Sequence, residues 1–124
     1  MNSKPTPLVA GNWKMHKTPQ EAEEFCRRLR GAWPKHPGVE VAVYPPFLAL
    51  ASAASELRGS GISVGAQNLY PAPSGAFTGE ISAQMLLTVG CTSVIIGHSE
   101  RRHVLGEPDE FCALKVEIGR ASCR

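Results

Sequence analysis

The chain has 124 residues, 43% of them hydrophobic and 19% charged, which supplies a core for one domain and leaves no length for two. Its 13 basic and 11 acidic side chains leave a formal charge of +2, and the basic residues are scattered, so the composition supports neither a nucleic-acid surface nor a membrane surface. No apolar run reaches membrane-helix length, and Met1-Asn2-Ser3-Lys4-Pro5 leads into no long apolar stretch or cleavage site of the signal-peptide kind.

In chain order, Leu8 to Trp13 is a short apolar run of strand length. Thr18-Pro19-Gln20-Glu21 then reads as a helix start, with Thr18 as N-cap, Pro19 at the first helical position and Glu21 completing a capping box. Ala22, Phe25, Cys26 and Leu29 recur at helical spacing, and Gly31 is the expected stop. Val39 to Tyr44 is a second strand, cut by Pro45-Pro46, and Phe47 to Leu57 is a second helix ending near Gly59 or Gly61. Ile62 to Ala66 is a third strand.

The segment from Gln67 to Glu80 is rich in Gly, Pro and Ser and too long for a routine connection, so it is a candidate functional loop. Ser82 to Val89 reads as a short helix, Thr92 to Gly97 as a fourth strand and Pro108 to Lys115 as the beginning of a further helix. Continuous apolar strands alternating with amphipathic helices indicate a parallel α/β sheet covered on both faces. Periodicity does not separate a doubly wound sheet from a barrel. It does place Asn12, Lys14, His98 and Glu100 at or just beyond C-terminal strand ends, where such folds build their sites. No G-x-G-x-x-G or Walker-A sequence supports a dinucleotide or nucleotide site.

The cysteines Cys26, Cys91, Cys112 and Cys123 form no C-x-x-C pair and have no histidine at zinc spacing. They read as reduced thiols of a cytoplasmic protein, the first three as core fillers and Cys123 as a residue near the end. No metal is expected.

Four segments stand out: Gly11-Asn12-Trp13-Lys14, Gly65-Ala66-Gln67-Asn68, Gly75-Ala76-Phe77-Thr78-Gly79-Glu80 and Gly97-His98-Ser99-Glu100-Arg101-Arg102. In that order, each after its appropriate strand, they together resemble the triose-phosphate isomerase family. The resemblance covers about Leu8 to Val116. It implies that residues 1–116 are the N-terminal half of a TIM (β/α)8 barrel. Residues 117–124, with a glycine expected to break the helix and no strand, read as a divergent tail.

What the resemblance implies chemically is the interconversion of dihydroxyacetone phosphate and glyceraldehyde 3-phosphate through an enediolate, a step of glycolysis and gluconeogenesis that uses no cofactor. Such chemistry needs a base, a donor for the developing oxyanion and a cation for the spreading charge. On the resemblance, His98 is the electrophile, with the amides of a short helix from Ser99 to Val104 facing its ring. Lys14 is the cation, and Asn12 orients substrate or ties down the neighbouring loop. Glu100 is a buried carboxylate pairing with Lys14, against the alternative of a surface pair with Arg101.

Thr78 and its loop resemble an arm inserted into the second subunit of a homodimer, with Glu80 and Arg101 paired across or beside that contact; the alternative is an Ω-loop closed on its own side chains. His16, His36 and His103 are expected at the surface. The family's glutamate base follows a sixth strand, and its phosphate-gripping loops follow the sixth to eighth. Neither is in this sequence, so the chain is expected to be inactive alone and unsteady as a half barrel. The competing readings are a non-enzymatic dimerising or regulatory remnant using the 67–80 arm and, ranked lower, a different phosphosugar barrel enzyme.

Overall fold

Strands β1 (Leu8–Asn12), β2 (Glu40–Tyr44), β3 (Ile62–Ala66) and β4 (Ser93–Val94) form one parallel sheet in the order β1-β2-β3-β4. The computed structural model describes residues 3–122; Cys123 lies outside them. Helices α1 (Pro19–Ala32), α2 (Phe47–Leu57), α3 (Ala83–Thr88), α4 (Ser99–His103) and α5 (Asp109–Ser122) complete the alternation. Neighbouring strands that follow one another in sequence, each reached through a helical crossover, give the first half of a TIM barrel.

Local chemistry accounts for the element ends. The Thr18 hydroxyl accepts from the Glu21 amide at 3.2 Å and the Glu21 carboxylate accepts from the Thr18 amide at 3.1 Å, the expected capping box. Gly31 does not stop α1, which runs on to Ala32 and closes at Trp33, whose amide bonds the Leu29 carbonyl. β4 is shorter than the expected Thr92–Gly97. Its regular pairing covers Ser93 and Val94, with single bonds from the Thr92 amide to the Val64 carbonyl and from the Ile95 amide to the Ala66 carbonyl on either side.

The two sheet faces differ. Val43, Ile62, Val64 and Ala66 share one face with the buried stripes of α1 and α2, where Ala22, Cys26, Ala49, Leu50, Ala53 and Leu57 make the core. Trp13 packs edge-on against Phe25 of α1, ring centroids 5.3 Å apart, and seals the top of that layer. On the opposite face Tyr44 lies across Gly65, and its hydroxyl meets the Ser93 hydroxyl at 3.0 Å. Edge strand β1 is poorly covered, with Leu8 51% and Val9 59% exposed.

Helix α5 corrects one expectation. Gly119 does not break it; the helix continues through Ser122. Cys112, Lys115 and Gly119 form its buried stripe, and a methyl at Gly119 would stand 3.6 Å from both Val94 and Ile96, so the residue lies against the end of β4.

A side chain at Gly65 would stand 2.3 Å from Tyr44 Cε1 and 2.5 Å from Ser93 Oγ, so the ring and its hydrogen bond must move. Gly65→Ala is expected to destabilise the chain by about 1–3 kcal/mol, read as a lower urea midpoint; an unchanged midpoint would show that Tyr44 does not lie across this strand.

Candidate active site

The rim at the C-terminal ends of the strands is organised around Lys14, which leaves β1 in the left-handed region at φ +54°. For a residue other than glycine this conformation is strained and persists only where its surroundings impose it. Three bonds do so here. The Lys14 amide donates to Asn12 Oδ1 at 3.0 Å. Its carbonyl accepts from Gln67 Nε2 at 2.8 Å, and the same nitrogen reaches the Tyr44 carbonyl, also at 2.8 Å. Its ammonium donates to Glu100 Oε1 at 2.6 Å.

Glu100 therefore makes the pair with Lys14 that the resemblance implies, but it is not buried; 47% of its side chain is exposed. The space between the rims of β1 and β4 is open, so solvent reaches the pair. Glu100 does not pair with Arg101. The hydrogen bond from Lys14 holds its carboxyl below the usual carboxylate range.

His98 caps α4: its Nδ1 accepts from the Glu100 amide at 3.1 Å, as expected of a ring facing helix-terminal amides. A nitrogen that accepts an N–H carries no proton, so the proton of the neutral ring sits on Nε2, which is left as a donor. Glu100 Oε2 lies 3.7 Å from Nδ1, outside hydrogen-bond range.

Asn12, Lys14, Gln67, His98, Glu100 and Arg101 all line one cleft of about 270 Å³, closed on its apolar side by Phe47, Ile95 and Leu105. An ammonium, an imidazole, side-chain amides and a carboxylate thus line one partly apolar hollow. Among the described residues, no group of three or more His, Cys, Asp and Glu could hold a metal ion.

Of the residues expected at the subunit contact, Arg101 lines this cleft while Thr78 and Glu80 do not. Thr78 and Glu80 are exposed on the 67–80 loop. Within the chain this loop closes on itself, with Tyr70 and Phe77 rings 4.3 Å apart and the Tyr70 amide bonded to the Ile81 carbonyl at 2.8 Å. Within the chain, Arg101 pairs with a carboxylate other than Glu80. Its Nε donates at 2.9 Å to Glu107, a buried carboxylate with a stronger need of a counter-charge. His16, His36 and His103 are exposed as expected, and Cys26, Cys91 and Cys112 are buried free thiols.

Beneath the rim lies a polar network centred on Lys115 and Glu107, which the sequence alone does not mark as partners. Lys115, 1% exposed, donates at 2.8 Å to both Glu107 and Asn68, and its ammonium sits 4.6 Å from the centre of the Phe111 ring. The Cys112 thiol donates to the second Glu107 oxygen at 3.3 Å. Burial pushes the Glu107 carboxyl up, but bonds from Lys115, Arg101 and Cys112 outweigh it and hold the group at about 2. The available signal was a lysine within the apolar stripe of α5, where a lone charge requires a buried partner.

Four parallel strands neighbouring one another in chain order, each reached through a helical crossover, place the chain among (β/α) barrel proteins. The chain belongs to the triosephosphate isomerase family: the family model described as "Triosephosphate isomerase" matches residues 7–122. Proteins named triosephosphate isomerase from Symbiobacterium thermophilum, Lawsonia intracellularis and Chloroflexus aurantiacus are 51%, 52% and 50% identical to it over 111, 113 and 115 residues. These matches take in 90%, 90% and 93% of this chain but 43%, 44% and 46% of the relatives, so the chain spans under half their length.

The folded-state pKa of Glu107, about 2, lies below its ordinary 4.5, so its contribution to stability is complete above pH 4.5 and is lost as pH falls toward 2. Urea midpoints measured across that range are expected to fall, and to fall less steeply in Glu107→Gln. Lys115→Ala, which leaves the carboxylate without its buried ammonium, is expected to cost about 3–5 kcal/mol at pH 7. A Lys115→Ala midpoint equal to the parent's would mean that the network is not formed.

Proposed function

We propose that the chain carries the electrophilic and cationic side of an aldose–ketose isomerase site for dihydroxyacetone phosphate and glyceraldehyde 3-phosphate. One observation carries this reading: Lys14 and His98, from opposite edges of the sheet, line the same cleft with Glu100 between them. The family of the chain supports it.

In this reading the substrate carbonyl oxygen lies against His98 Nε2–H, which donates as negative charge develops on that oxygen. The Lys14 ammonium faces the same oxygen or the phosphate and offsets the growing anion. Its preset backbone means that little rearrangement is needed when charge moves. Asn12 and Gln67 hold the Lys14 peptide, and Asn12 also reaches the cleft, where it orients substrate.

Proton transfer between adjacent carbons needs a base, and the carboxylate lining this cleft is Glu100. It is a poor base for the task, because its bond from Lys14 stabilises the ionised form. The chain thus polarises a carbonyl without a group to take the proton, and alone it does not turn over at a useful rate. In the whole protein, a partner subunit meets the exposed 67–80 loop through Thr78 and Glu80, with Arg101 near that contact. The three unpaired thiols suit a cytoplasmic location, and no described helix is long and apolar enough to cross a membrane.

A coupled spectrophotometric assay of purified 1–124 with glyceraldehyde 3-phosphate tests the proposal. Turnover at least about 10²–10⁴ below that of the Symbiobacterium thermophilum relative is expected, the usual consequence of lacking a general base. Turnover matching that relative would overturn the assignment of Glu100 as a non-base.

A further inference from the structure

The regular pairing of β4 ends at Val94, and the last backbone bond to β3 is made by Ile95. His98 therefore stands at the end of a segment that the sheet itself does not hold. We propose that Arg102 is the positioning residue for His98, fixing the peptides on both sides of its α-carbon. The proposal rests on the role given to His98 above.

Arg102 Nε donates to the carbonyl of Gly97 at 2.8 Å, and the Arg102 amide donates to the carbonyl of His98 at 3.1 Å. The peptides that enter and leave His98 are thus both bonded to one residue. Gly97 turns the chain out of β4 at φ +67°, and the guanidinium occupies the space beside it. A methyl at Gly97 would stand 2.9 Å from Arg102 Nη2, 3.0 Å from Nε and 3.2 Å from Cys112 Sγ. The glycine and the arginine are therefore a matched pair, one omitting a side chain where the other supplies its head group.

The far side of the guanidinium pairs with Asp109, the first residue of α5. Because α5 is anchored beneath the rim by buried Lys115, this pair references the turn at Gly97 to a fixed helix. With the carbonyls of Gly97 and His98 held, His98 presents Nδ1 to the Glu100 amide and keeps Nε2–H for the cleft. Arg102 is not among the residues lining the cleft, so its action is through His98 alone.

The test reads the local bond rather than turnover, and so is independent of whether the chain is active. In Arg102→Met, amide hydrogen exchange at Glu100, the donor to His98 Nδ1, is expected to speed up by about 10- to 100-fold, the loss of one charge-assisted bond. Exchange at the Val43 and Val64 amides of the core is expected to stay within about threefold. Nitrogen-15 spectra of the imidazole should change from one tautomer, protonated on Nε2, to an exchanging mixture. Arg102→Lys, which retains a charged donor, should restore most of the protection.

Asp109→Asn, at a residue 87% exposed, provides a second variant that folding should tolerate, with an intermediate effect at Glu100. Unchanged exchange and tautomer at His98 in both Arg102→Met and Asp109→Asn would overturn the proposal. Acceleration at Glu100 that is matched at Val43 and Val64 would also overturn it, because the arginine would then stabilise the chain as a whole.

Discussion

The ion pair between Lys14 and Glu100 joins the first strand of the sheet to the turn after the last, 2.6 Å from nitrogen to oxygen. In a flat sheet, β1 and β4 would lie three strand spacings apart, about 14 Å. The Lys14 and Glu100 side chains close that distance, and Asn12, Gln67 and His98 line the cleft beside them. This closure across the rim is the constraint on which the site depends.

Around that pair, the structure separates exposed function from buried support. Lys14 and Glu100 are half open to solvent, and their attraction alone is worth little at such exposure. Their geometry is set by neighbours: Asn12 and Gln67 for the strained lysine, the start of α4 for the carboxylate. Deeper, Glu107 gathers Lys115, Arg101 and Cys112, and no described side-chain polar atom is left buried without a partner. A buried ion network of this kind is costly to break and serves to fix the relation of α5 to the rim.

Much of this architecture could be read directly from the residues. The capping box at Thr18 set the start of α1, Pro45-Pro46 and Gly59 bracketed α2, and Ile62 to Ala66 matched β3, because caps, prolines and β-branched runs act locally. Positions decided by distant contacts were not legible. Gly119 suggested a helix end, but its environment is the end of β4, which no local rule reports. The resemblance implies a buried Glu100, but no local residue pattern reports how open the cleft is, and the side chain is 47% exposed. Gln67 lies in one of the four family-like segments, but its role is not legible there, since its bonds go to the carbonyls of Lys14 and Tyr44, far away in sequence. Lys115 and Glu107 form part of a network that exists only after α4 and α5 have docked.

The claim that Lys14 and His98 face one small anionic ligand is open to a direct measurement: titration of the isotope-labelled chain with dihydroxyacetone phosphate, followed at the Lys14 ammonium and the His98 ring nitrogens. Both sets of resonances should move together along a single saturation curve, and neither should move in Lys14→Met. Shifts confined to one of the two residues, or two curves with different midpoints, would mean that they do not share a ligand.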